Sequence, residues 1–156
     1  MELSTFFNKE IPTVLTLNYF ECPMLCTLVL NGLAESLKNL TLNAGDEFQV
    51  ITIDINPNEK TLFANQKKKN YIKGFGLENI KDDWHFLTGK KNRIYDLARK
   101  SYFVEREIGF SKDSSDFLHT EHVILVDQNK RIRGIYNSTL QLDIEQLKND
   151  IIVLLN

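Results

Sequence analysis

Cys22 and Cys26 are the two cysteines of the chain, and they lie four residues apart in Cys22-Pro23-Met24-Leu25-Cys26. Pro23 suits the first position of a helix, where its missing N–H costs nothing. Cys22 then faces the unpaired N–H groups and the positive end of the helix dipole, which lower a thiol pKa and favour the thiolate. A spacing of four puts Cys26 on the same helix face. It also falls near the upper end of the Cα–Cα range of a disulfide. Two thiolates so placed can exchange with a disulfide or hold a soft metal ion.

The flanking pattern supplies the elements that must position them. Val14 to Phe20 is apolar and strand-like, and Leu25 to Leu40 carries a helical apolar stripe. Gly32 in that helix lowers its propensity and lets another element approach closely. Phe48 to Ile53 reads as a second strand ending at Asp54. A second helix is expected from Asn56 as N-cap and Pro57 as first residue to about Lys73, closed by Gly74 and Gly76. Trp84 to Leu87 is a short strand, Lys91 to Ser101 a third helix, Tyr102 to Ile108 a candidate strand and Gly109 to Ser115 a loop. Val123 to Val126 and Ile132 to Tyr136 flank a Gln128-Asn129-Lys130 turn as a hairpin, and Asp143 to Leu155 is a closing helix. Leu3, Phe6 and Phe7 form a short helical turn before them. Strands alternating with helices imply an α/β fold, a central mixed sheet with helices on both faces. A cysteine pair opening the helix after the first strand is the plan of thioredoxin-like folds. One domain, residues 1–156, is expected.

Composition narrows the function classes. The chain has 156 residues, 42% hydrophobic and 26% charged, with a formal net charge of −2, which excludes disordered, fibrous and nucleic-acid-binding classes. Two cysteines are too few for a disulfide framework and read as a local redox or metal motif. Lys67-Lys68-Lys69 reads as a solvated helix face. No run has signal-peptide character or the roughly 18 apolar residues of a membrane span. Three histidines are present. His85 reads as the outward position of a half-buried strand. His119 and His122 flank a strand start, and an offset of three puts them on opposite faces if extended.

Tyr19-Phe20-Glu21-Cys22-Pro23-Met24-Leu25-Cys26, then Ile53-Asp54, Trp84-His85-Phe86-Leu87-Thr88-Gly89, and His119-Thr120 followed by Ile124-Leu125-Val126-Asp127 resemble, in order and spacing, the Sco/SenC family. Arg131-Ile132-Arg133-Gly134 fits the closing hairpin of that family, so the resemblance spans residues 15–136. Its cysteines are separated by three residues, against two in ordinary thioredoxins.

The resemblance implies a thioredoxin-like fold and a copper site made by Cys22, Cys26 and His119. His119 is preferred to His122 because Thr120 and the strand leading to Asp127 follow it. Asp54 matches an acidic residue of the family at the end of the second strand; a strand-end or helix-capping role for it competes about evenly with one near the metal. The implied activity is delivery of copper, as Cu(I) or Cu(II), to cytochrome c oxidase, or reduction of the cysteines of its copper site. The implied partners are the oxidase subunit carrying that site, a copper donor and thiol reductant proteins. The implied location is periplasmic or the outer face of the inner membrane. Family members usually carry an N-terminal hairpin and an anchor or signal; this chain reaches Val14 without either, which points to a shortened form of a longer protein. The family also often has an acidic residue directly before its ligand histidine. Here that position is Leu118, with Asp116 two residues further back, which leaves the orientation of His119 open.

The donor chemistry agrees with the resemblance. Two thiolates and an imidazole suit Cu(I) and take Cu(II) with added ligands. Structural zinc wants four protein ligands, and three are visible. Affinity should rise with pH as the thiols deprotonate. For Met24, packing or exposure is preferred to thioether ligation, and for His122 exposure or a local hydrogen bond. Two enzyme readings compete. A thiol–disulfide oxidoreductase would cycle Cys22 and Cys26 and need no histidine. A peroxidase would use Thr16 or Thr27 beside a cysteine, but the motif has no arginine near it.

Overall fold

The computed structural model describes residues 2–7, 9–21, 25–100 and 122–156, with the backbone alone for residues 25 and 26. Strand β1 (Thr13–Asn18) is buried at every position, as a central strand covered on both faces must be. Helix α1 (Leu25–Lys38), strand β2 (Gln49–Asp54), helix α2 (Thr61–Phe75), strand β3 (Trp84–Leu87) and helix α3 (Lys91–Lys100) follow. Strands β4 (His122–Val126) and β5 (Ile132–Asn137) and helix α4 (Gln141–Leu155) complete the described chain.

The sheet order is β3-β2-β1-β4-β5. β1 pairs parallel with β2, and β2 with β3, whereas β4 runs antiparallel to both β1 and β5. The crossovers from β1 to β2 and from β2 to β3 step in the same direction. Right-handed connections therefore put α1 and α2 on one face. The core bears this out: Leu30, Leu33 and Ala34 of α1 cluster with Ala64, Tyr71 and Ile72 of α2, Ile144, Leu147 and Ile151 of α4, and Val14, Val50, Trp84 and Val123 of the sheet. On the other face Ile94 and Ala98 of α3 pack with Leu15, Leu17, Ile51, Ile53 and Ile124, edged by Leu3, Phe6 and Phe7 of a 3-10 turn. The architecture is thioredoxin-like, a mixed sheet with helices on both faces, as the sequence pattern leads one to expect.

Two local devices hold this packing. A Cβ on Gly32 would lie 2.5 Å from the Ser138 carbonyl oxygen, so the glycine does let the chain after β5 cross closely over α1. In the β4–β5 turn, the Asp127 carboxylate accepts the N–H groups of Asn129 and Arg131, each at 2.9 Å, and the Arg133 guanidinium at 3.1 Å.

The start of α2 differs from the sequence reading. The helix begins at Thr61, not Pro57, and Lys60 caps it without a side-chain bond. The Asn56 side chain instead accepts the N–H of Asn58 at 3.0 Å, closing a turn of its own. Asn caps and Asn turns use the same side-chain acceptor, so Asn-Pro-Asn is compatible with either. At the other end Gly76, with φ of 66°, closes the helix in the left-handed region. The expected strand at Tyr102 to Ile108 and loop at Gly109 to Ser115 lie outside the described residues.

Candidate metal centre

Because β1, β2 and β3 are parallel, their C-terminal ends share one edge of the sheet, and α1, α2 and α3 each begin beyond it. Ligands of open α/β sheets are bound at such an edge, where helix N-termini also converge. β4 is antiparallel to β1, with Val123 opposite Thr16, so its first residue, His122, enters at this same edge. The topology thus gathers the end of β1, the first turn of α1 and the start of β4 into one place.

The segment leaving β1 is pinned at Phe20. Its side chain is buried and packs on Phe86, with ring centroids 5.5 Å apart. Its carbonyl oxygen accepts a hydrogen bond at 2.9 Å from the Lys67 ammonium of α2. Lys67 also lies 5.6 Å from the centroid of the Tyr71 ring, and the Tyr71 hydroxyl donates to Asn31 of α1 at 2.9 Å. One lysine therefore connects α2, and through Tyr71 α1, to the chain two residues before Cys22.

This corrects the reading of Lys67-Lys68-Lys69 as a solvated face: Lys67 and Lys68 are half-buried, and Lys69 alone is exposed. Lys67 lies three residues after Ala64 and four before Tyr71, both buried, and so on the inward stripe of α2. That spacing is visible in the sequence; the run of three lysines hides it.

Asp54 closes β2 and stands opposite Asn18, the last residue of β1. Its side chain is fully buried. Oδ1 accepts the N–H of Asn56 at 2.9 Å, whereas Oδ2 is buried without a hydrogen-bond partner among the described residues. Burial raises its pKa to about 7 against the opposing pull of the Asn56 and Phe20 N–H groups; nearby Glu21 adds to the rise and Lys67 reduces it. Asp54 thus holds the expected strand-end position, where it accepts a turn N–H, at the edge where β1 ends and β4 begins.

The remaining candidates fall as follows. The backbone of Cys26 lies in the first turn of α1; Cys22, Met24, Asp116, Leu118 and His119 lie outside the described residues. Among the described residues, no three His, Cys, Asp or Glu side chains converge as a metal site would require. His122 is half-buried at the head of β4, opposite Asn137 of β5. His85 is half-buried in β3, its ring 5.0 Å from that of Phe6, as a strand residue under a neighbouring element. Burial and the nearby Lys68 hold its pKa below the usual histidine value. Thr16 is fully buried in the middle of β1. No described helix is long and apolar enough to cross a membrane.

The family model for SCO1/SenC matches residues 9–156. Among solved structures, the chain is similar to a SCO1/SenC family lipoprotein from Bacillus anthracis, at 16% identity and a TM-score of 0.71, covering 95% of this chain and 83% of that one. It is similar to BsSco, described as a member of the Sco family of cytochrome c oxidase assembly proteins with a disulfide switch, at 16% identity and a TM-score of 0.67, covering 99% and 85%. It is also similar to Bradyrhizobium japonicum ScoI with copper bound, at 24% identity and a TM-score of 0.61, covering 92% and 85%. No match is found among curated proteins.

Proposed function

This chain belongs to the SCO1/SenC family, and on that premise we propose that it is a copper carrier of cytochrome c oxidase assembly, holding the ion on Cys22, Cys26 and His119. The observation that carries the reading is the antiparallel placing of β4 beside β1. It sets the start of β4 at the edge where β1 ends and α1 begins. His119 stands three positions before His122, the first residue of β4, in the chain. Cys22 follows directly on Glu21, at the end of the segment that Lys67 pins.

The donor set fits the cargo. Two thiolates and one imidazole are soft enough for Cu(I), and a fourth position stays open for a ligand of the receiving protein. Asp54 is the neighbouring carboxylate, and its raised pKa lets it hold a proton near neutrality, which weakens it as a competing hard ligand. Copper binding must release the thiol protons, so affinity should rise with pH. The chain works as one domain over residues 1–156, on the outer side of the membrane, and hands copper to the oxidase subunit that carries the copper site. This location agrees with the Bacillus anthracis relative, described as a lipoprotein.

The test is copper titration of the reduced protein, read by absorption and EPR, with His119→Ala beside it. One copper per chain is expected, with weaker Cu(II) binding and an altered thiolate charge-transfer band in the variant. An unchanged affinity and band in His119→Ala would overturn the ligand set. Thiol–disulfide exchange that survives His119→Ala, in a protein that binds no copper, would replace the carrier reading.

A further inference from the structure

We infer that Lys67 biases the site toward Cu(I) over Cu(II), acting as a positioning residue whose charge compensates the reduced form. The inference rests on the copper reading above. Lys67 Nζ is held at 2.9 Å from the Phe20 carbonyl oxygen, in a half-buried position against the Tyr71 ring. Phe20 stands two positions before Cys22 in the chain, so the ammonium is fixed on the segment that leads into the cysteine pair.

The charges decide the direction. Two thiolates and a neutral imidazole around Cu(I) carry a net charge of −1; around Cu(II) the same ligands sum to zero. Reduction adds one electron and moves no proton, so a nearby fixed cation stabilises the reduced form alone. Glu21 and Asp54 are the carboxyl groups that interact with one another here, and Lys67 opposes the effect of Glu21 on Asp54. Without Lys67 that offset is lost, and the −1 site meets acidic neighbours alone. A unit charge at about 10 Å and an effective dielectric constant near 20 changes an equilibrium about tenfold.

A residue that merely stiffens the loop would weaken both oxidation states alike, so the ratio of affinities separates the two roles. The experiment measures Cu(I) affinity by competition with a chromogenic chelator, Cu(II) affinity by titration, and the potential of the copper-loaded protein with ascorbate as electron donor. Lys67→Met, Lys67→Arg and Glu21→Gln are compared with the unchanged chain, and thermal melts report folding. Lys67→Met should weaken Cu(I) about tenfold more than Cu(II), a fall of about 59 mV in potential, and Lys67→Arg should restore the ratio. Glu21→Gln should move the ratio the opposite way, which keeps the test decisive if Lys67→Met fails to fold. Equal loss of both affinities, or a Glu21→Gln ratio that does not move, overturns the inference. An unchanged chain that binds no copper overturns the carrier reading beneath it.

Discussion

Asp54 and Asn56 meet through one hydrogen bond, the Asn56 N–H donating to Asp54 Oδ1 at 2.9 Å, while the second oxygen of the same carboxyl is buried with no hydrogen-bond partner among the described residues. A carboxyl that is half satisfied in this way holds its proton more tightly when the chain is folded than when it is not. Its pKa lies near 7 in the folded protein.

The sign of the pH dependence follows. Between about pH 4 and 7 the folded state keeps a proton that the unfolded state has released, so this group makes stability fall as pH rises through that window. The full effect approaches roughly 4 kcal/mol above pH 7. Asp54→Asn should remove this slope and make the reduced, metal-free protein more stable at pH 8. Urea unfolding at pH 5 and pH 8 checks it; an unchanged difference between the two pH values refutes it.

Asp127 should behave in the opposite sense. Burial pushes its pKa up, but the Arg131 N–H, the Arg133 guanidinium and the Asn129 N–H outweigh that and hold it below the usual carboxylate range. The stabilisation it gives is complete above the unfolded pKa near 4 and is lost as pH falls through the lower folded value. Asp127→Ala should destabilise the β4–β5 hairpin by about 2–4 kcal/mol at pH 7, because several donors lose their acceptor. The unfolding midpoint of the variant at pH 7 measures it.

Gly32→Ala should be harmful despite the better helix propensity of alanine, worth about 1 kcal/mol. The new methyl would meet the Ser138 carbonyl oxygen, which is backbone and cannot swing aside. A net loss of about 2–3 kcal/mol is expected. A melting temperature at or above that of the unchanged chain would contradict this.

Thr52→Val tests the polar contact inside the larger core. The Trp84 indole N–H donates to the buried Thr52 hydroxyl at 2.9 Å. Valine keeps the shape and removes the acceptor, leaving a buried donor unsatisfied at about 1–3 kcal/mol. The indole N–H resonance and the urea midpoint should both shift.

Most of the architecture was legible without coordinates, for a local reason. The runs at Val14, Phe48 and Trp84, the helical stripes between them and the Gln128-Asn129-Lys130 turn are patterns of period two, of period 3.6 and of turn chemistry, all carried by near neighbours in the chain. The start of α2 was misread because an asparagine acceptor serves a cap and a turn equally well. Lys67 was misread because charge suggests solvent, whereas the lysine stem can lie along an apolar surface and bring its ammonium to a carbonyl of another element.

The sequence by itself determined the cysteine pair, the alternation of strands and helices, and the resemblance that the family match then established over residues 9–156. Only the tertiary structure decided which strand lies beside β1, that β4 enters at the edge where β1 ends, and that Asp54 and Lys67 meet the β1–α1 segment there. These relationships join residues far apart in the chain. They depend on how strands pair and how helices cover a sheet, and no local pattern of residue types encodes that.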